Sequence, residues 1–314
     1  MKRYRVPGLM LIILLILFTV PGFAQEEVTV NTPPVPASLP LLWAQEAEDD
    51  LDLELEVNLS PDHSRNMNLL AEGEIDFAVT GSNVGAKFYN RGMDIRLVNI
   101  NTWAVDYLLT RDFKAESWED LKGRSLGVLV EGGPLDFLAR YFLEQNGIDP
   151  EEVEIINRPL PGAAQHFMRG DMDAIILPEP LVTANLRQGE NVHLALDIQE
   201  EWGKYHEGDQ RIPFVGLFVN GSFAAENSET VDQLSELYAR GVEWMNENPG
   251  KAARLAGENF EQPAPVMEEA LQRVEIALYS EEETVALMER YFTPIVEMYP
   301  DMIGGQLPDE EFYY

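Results

Sequence analysis

The chain has 314 residues, 55 acidic against 22 basic side chains, a formal charge of −33 and no cysteine. Its length is ample for two domains with sizeable cores. Its charge, spread through every segment with no Lys/Arg cluster, excludes nucleic acid as a partner, because phosphate contacts need a basic face. Lack of cysteine excludes disulfides, thiol chemistry, cysteine-containing zinc sites and a lipid anchor on an N-terminal cysteine.

Lys2, Arg3 and Arg5 precede an apolar run over residues 9–20, and Pro21-Gly22-Phe23-Ala24-Gln25 puts small residues just before the bond after Ala24. The run is shorter than the ~20 residues of a spanning helix, so residues 1–24 read as a cleaved signal peptide and the mature chain as periplasmic. An uncleaved N-terminal anchor is the alternative. The evenly spread acid predicts a solvated anionic surface and a saline habitat.

A first strand over 28–31 runs into the turn Thr32-Pro33-Pro34, which launches a helix over 37–47. Proline costs little there, since the first helical amides have no partner. Alternating apolar and acidic residues predict a half-buried strand over Leu53–Leu59. A helix ending near Glu72, a strand over 77–80 and a helix over 84–90 follow, with strand-like stretches at 95–100 and 104–109. Ser117-Trp118-Glu119-Asp120-Leu121-Lys122-Gly123 has the form of one capped turn, Ser117 answering the free amides and Asp120 answering back. Next come a strand over 125–130, a long helix opened by Glu131-Gly132-Gly133-Pro134, a strand over 153–156 and a helix over 162–169. An extended apolar stretch over 212–219 carries the chain back, and the remainder is helical: 228–248, a segment from Pro265, and 280–299, which opens with the capping sequence Ser280-Glu281-Glu282-Glu283.

Within this order the chain repeats itself. Gly73-Glu74-Ile75-Asp76-Phe77-Ala78-Val79 returns 97 residues later as Gly170-Asp171-Met172-Asp173-Ala174-Ile175-Ile176, and the offset still holds at Gly92 and Gly189. Each copy reads as a helix closed by a glycine and feeding a buried parallel strand. Two copies imply two α/β lobes: 25–110 with 216–314, and 111–215, joined by two crossings that make a hinge. In open α/β sheets ligands sit beyond the carboxyl ends of the strands, so the loops there are the walls of a cleft.

Catalytic signatures are absent. His63, His166, His193 and His206 are scattered without metal-ligand spacing, there is no Gly-x-Ser-x-Gly elbow or phosphate loop, and carboxylates are too common to mark an acid/base pair. Neither a metal nor a cofactor is expected. Binding has better support, because short polar residues and glycines gather at strand ends: Asn31, Thr32 and Pro33; Thr80, Gly81, Ser82 and Asn83; Asn101, Thr102 and Trp103; Glu131, Gly132 and Gly133; and Glu179. Such groups orient a small polar solute, with an indole as an apolar wall. The plainer alternatives are that these residues cap helices, that Trp103 is core, and that Glu179 serves the helix after it.

The repeat unit, Ser117-Trp-Glu-Asp-Leu-Lys-Gly-Arg-Ser-Leu-Gly-Val128 and Asp173-Ala-Ile-Ile-Leu-Pro-Glu-Pro-Leu-Val-Thr183 resemble the ABC-transporter solute-binding proteins of the nitrate/sulfonate/taurine and thiamine-precursor group. The resemblance implies a type II periplasmic binding protein fold, two Rossmann-like lobes on a two-strand hinge with a helical C-terminus. It also implies a monomeric receptor that closes on a small solute and presents it to an ABC permease with its ATPase. The matched ligand loops are Asn31 to Pro34, Thr80 to Asn83, Asn101 to Trp103, Glu131 to Pro134 and Pro178 to Pro180. None carries a basic residue, which favours a neutral or weakly charged solute. The rival readings are an enzyme on the same fold, of the menaquinone-pathway dehydratase or pyrimidine-synthesis kind, and a receptor for a sensor kinase or a tripartite transporter.

Overall fold

The computed structural model describes residues 26–47, 53–160 and 162–314; the expected signal peptide lies outside the described residues. In chain order the first unit is β1 (Glu26–Thr32), α1 (Leu39–Glu46), β2 (Leu53–Leu59), α2 (His63–Glu72), β3 (Phe77–Gly81) and α3 (Ser82–Asn90). The chain crosses through β4 (Ile95–Ala104) and β5 (Asp106–Arg111), parted only by Val105. The second unit is β6 (Ser125–Val128), α4 (Pro134–Gln145), β7 (Glu154–Asn157), α5 (Gly162–Arg169), β8 (Ala174–Pro178), α6 (Leu181–Gln188), β9 (Val192–Asp197) and α7 (Ile198–Tyr205). After the return strand β10 (Val215–Asn220) come α8 (Gly221–Glu226), α9 (Ser228–Glu247), α10 (Pro249–Asn259), α11 (Ala264–Ala270), β11 (Glu275–Ile276) and α12 (Glu281–Met298).

Two sheets result, ordered β2-β1-β3-β10-β4-β11 and β7-β6-β8-β5-β9. In each, three parallel strands are followed by an antiparallel one that has crossed from the other unit, β10 in the first sheet and β5 in the second. The sequence repeat is the reason for the match. Gly73 and Gly170 both close helices with positive φ, 71° and 83°, a backbone region that costs side-chain-bearing residues roughly 1–2 kcal/mol. Asp76 then accepts the Thr29 N–H of β1 at 2.9 Å, and Asp173 accepts the Ser125 N–H of β6 at 2.9 Å. The carboxylate of each copy thus pins its strand to the neighbouring parallel strand.

The hinge is built from backbone: Phe214 N–H donates to Thr102 C=O at 3.0 Å and Ile212 N–H to Trp103 C=O at 3.1 Å. One apolar cluster covers the α1, α9 and α10 side of the first sheet and another the α5 and α6 side of the second. A third passes from the α2 and α3 side of the first sheet, through α12, to α4 and α7 on the second. Helix α12 therefore bridges the lobes, Tyr291 meeting Phe137 and Trp202 edge-on. The turn at 117–123 has its expected reciprocal cap between Ser117 and Asp120, and Ser280 caps α12 by accepting the Glu283 N–H at 3.3 Å. Five elements had no counterpart in the sequence reading: β9, α7, α8, α10 and β11, the last a short strand pairing with β4 inside a remainder read as helical.

Candidate ligand-binding cleft

The parallel strands of both sheets end toward the hinge crossing; α3 begins directly after β3, α6 after two residues from β8, and α4 after a five-residue loop from β6. In α3 and α6 first-turn amides are taken by protein acceptors, Ser82 N–H by Phe214 C=O at 2.9 Å and Thr183 N–H by Glu179 at 3.0 Å. In the first lobe the short polar residues are largely occupied by one another. Asn31 Nδ2 donates to Asn66 Oδ1 at 3.3 Å, Thr32 Oγ1 to the Pro33 carbonyl at 3.3 Å, and Pro33 itself is buried. Gly81 is the cap residue of α3, Ser82 donates its N–H to Phe214 C=O at 2.9 Å and its hydroxyl to Pro213 C=O, and Asn83 is buried. The β3 loop is thereby stitched to the return strand of the hinge.

Thr80 leads to a residue that sequence spacing had passed over. His63 Nδ1 lies 2.9 Å from Thr80 Oγ1. Its side chain keeps an exposed surface, yet desolvation holds its pKa below the usual histidine value, with the neighbouring Asp62 charge opposing. With its pKa held below the usual value, the imidazole favours its neutral form and stands beside Thr80 at the end of β3. Nothing in the sequence distinguished His63 from a helix-end histidine, because its partner is 17 residues away on another element.

Asn101, Thr102 and Trp103 were expected in a loop, and the structure corrects this: β4 continues to Ala104, with Thr102 opposite Ile276 of β11. All three are buried, Thr102 Oγ1 donating to Asn101 Oδ1 at 3.1 Å and Asn101 Nδ2 to Asn99 Oδ1 at 3.2 Å. The Trp103 indole N–H donates to Ala277 C=O at 2.9 Å and its ring meets Tyr279 edge-on at 5.0 Å. Ladder partners for 101–104 come from far along the chain, so local periodicity could not extend the strand.

In the second lobe Glu131 is exposed, Gly132 has φ 68° and Gly133 caps α4. The turn is held from below by Asp136, whose carboxylate accepts the Gly132 N–H at 3.0 Å, Arg140 Nε at 3.2 Å and Asn157 Nδ2 at 3.3 Å. Glu179 is buried. One oxygen accepts the Thr183 N–H at 3.0 Å, the other the Thr183 hydroxyl at 2.9 Å and Arg273 Nη1 at 3.1 Å. Desolvation raises its pKa, against the pull of Thr183 and Arg273. It thus has the helix-serving environment left open by the sequence, plus an ion pair from beyond α11 that sequence reading could not place. A basic residue also stands at this end: Arg158, just past β7, is exposed and has no side-chain partner among the described residues.

Comparison with known proteins agrees with this architecture. The family model described as "NMT1/THI5 like" matches residues 38–252. YtlA of Bacillus subtilis (strain 168), named as a binding protein, is 21% identical over 205 residues, 63% of this chain and 59% of that relative's length. An ABC transporter structure from Parabacteroides distasonis superposes with TM-score 0.77 at 19% identity, covering 91% of this chain and 98% of the other. The periplasmic aliphatic sulphonate binding protein SsuA of Escherichia coli gives TM-score 0.74 at 17% identity and 92% coverage of both chains. The fold is also that of an enzyme, the desulfurization enzyme DSZB, with TM-score 0.68 at 14% identity, covering 90% of this chain and 94% of the other. With more than half of its length matched by the family model, the chain belongs to the NMT1/THI5-like family.

Proposed function

We propose that the mature chain is an extracytoplasmic receptor that takes a small organic solute between its lobes and delivers it to an ABC permease and its ATPase. The observation that carries this reading is the placement of helix starts and strand ends from both lobes around one backbone hinge, in a family whose structural neighbours include ABC-import binding proteins. Closure would draw on the difference in affinity between closed and open forms. Because β5 pairs in the second sheet, we set the outward crossing at Val105 and the lobes at 25–105 with 216–314 and 106–215, in place of the sequence-level boundary at 110, in a monomer. As solute contacts we retain Thr80, Asn83, Glu131, Gly132 and Gly133 and add His63 and Arg158; Trp103 and Glu179 act in the frame instead. Arg158 supplies the cation that the sequence-level ligand loops lacked, so an acidic group on the solute can be accommodated.

A thermal-shift screen of the mature protein against thiamine precursors, riboflavin, sulfonates, nitrate, nucleobases and aromatic acids tests the reading. A solute at 100 times its Kd should add about 2.7 kcal/mol of stability. No stabilisation by any class contradicts it. Because DSZB shares the fold, each hit is also incubated with the protein and followed by mass spectrometry, and a product would favour the enzyme reading. Export with cleavage after Ala24 predicts Gln25 as the N-terminus of the periplasmic form. Repulsion among the uncompensated carboxylates predicts a Tm that rises from near-zero salt to about 1 M NaCl, where the Debye length falls to about 3 Å; a flat or falling Tm contradicts a saline adaptation.

A further inference from the structure

Large apolar side chains exposed on this acidic surface are few: among the described residues they are Val130, Leu160, Leu194, Leu307 and Tyr314. Val130 is 58% exposed and Leu160 40%, and these two stand on the loops that leave the carboxyl ends of β6 and β7. The strands are parallel neighbours with Val128 opposite Asn157, and Arg158 N–H donates to Val128 C=O at 2.9 Å, tying the two loops side by side. Gly133 N–H donates to Val130 C=O at 3.1 Å and fixes the β6 loop as a turn.

The first lobe makes the same backbone contact, Ser60 N–H to Thr32 C=O at 2.8 Å, yet its matching loops bear no exposed large apolar side chain. The apolar feature is therefore not a consequence of the repeated frame. Two such residues at the cleft end of one lobe only are placed to be covered when that lobe swings onto something apolar.

We propose that Val130 and Leu160 form an apolar shelf on the second lobe that covers the apolar part of the solute and so determines which solutes close the cleft. This rests on the receptor reading and adds the substrate class: solutes with an aliphatic or aromatic portion, not small purely polar ones. Burying one methylene contributes about 0.8 kcal/mol, equivalent to about fourfold in affinity.

The probes are linear carboxylates from acetate to octanoate and linear alcohols of the same lengths, titrated calorimetrically into the wild-type chain and into V130S/L160S, with each variant's Tm recorded. Wild-type affinity should tighten about fourfold per methylene over several carbons whichever head group is present, and the slope should flatten in V130S/L160S at unchanged Tm. An equal slope in both proteins overturns the shelf. So does a wild type that ignores chain length while binding a polar solute from the screen, an outcome that leaves the receptor reading standing. If neither series nor any screened solute binds, the receptor reading itself falls and takes the shelf with it. Variants that bind all probes as wild type but no longer stimulate the permease would make the two residues a docking surface, and the proposal wrong.

Discussion

The two lobes share a frame and differ in what they bury. Asp76 and Asp173 perform the same task, and Ser60 and Arg158 donate the same backbone hydrogen bond. Yet the carboxylates that are buried among the described residues, Asp106, Asp136, Glu179 and Glu201, all belong to the second sheet and its helices. The first lobe closes its strand ends with neutral groups, Asn31 on Asn66, Thr80 on His63 and Ser82 on the hinge carbonyls. A repeat thus conserves backbone geometry through one carboxylate per copy while leaving strand-end chemistry free to diverge. The second lobe buries charge, with three of these four carboxylates paired to a cation and one of those cations, Arg273, supplied by the C-terminal segment, and the first depends on neutral hydrogen bonds.

That contrast can be broken by substitution. The largest effect should come from Arg273→Met, which strips a fully buried Glu179 side chain of its cation; removing one partner of a buried pair costs about 3–5 kcal/mol, and the exposure of Arg273 puts the loss near about 3. Denaturant unfolding measures it, and a loss under about 1 kcal/mol would show that Thr183 alone satisfies Glu179.

Next is a pH effect peculiar to the second lobe. Burial first, then repulsion from Asp197, pushes the Asp106 carboxyl up to about 7. A carboxyl raised above its unfolded value binds its proton more tightly when folded, so this group costs stability as pH climbs from about 4 to 7. Asp106→Asn should therefore gain over wild type across that window, with the gain complete by pH 8 and little of it present at pH 4. A gain independent of pH would remove the electrostatic explanation.

Asp76→Ala and Asp173→Ala sharpen the other half of the comparison. Each loses a charge-assisted bond to a strand amide worth about 2 kcal/mol by the same assay, and Asp173→Ala also loses the Ser125 hydroxyl bond at 2.9 Å, which Ser125→Ala measures separately. Unequal losses beyond that hydroxyl bond would mean that the two copies no longer do equal work. The smallest change belongs to Ser82→Ala, which removes one neutral hydroxyl bond to Pro213 C=O and should cost about 1 kcal/mol.

How much of this was legible in the sequence follows the range of the interactions. The repeat, the glycine closures, the Ser117/Asp120 cap and strand β2 depend on neighbours within a few residues, and the sequence carries them openly. The surroundings of Trp103 and Glu179 were not legible for the opposite reason, since their partners Ala277 and Arg273 lie 174 and 94 residues away. Of the candidate site, the loops were readable from strand ends and glycines. His63 and Arg158 were not, because only folding brings α2 beside β3 and the β7 end beside β6. Asp136 did carry a signal, an acid in the first turn of α4 just after Gly132-Gly133-Pro134.

The central claim, two lobes that close on a solute about the β4/β5 and β10 crossings, is tested most directly by a distance. The chain has no cysteine, so Glu56→Cys on β2 and Glu154→Cys on β7, both exposed and on the outer strands of their parallel sets, take two spin labels without ambiguity. Pulsed electron-spin measurements with and without a solute from the thermal-shift screen should show the interlabel distance shorten on binding. A bound solute that leaves the distance distribution unchanged would contradict closure between the lobes.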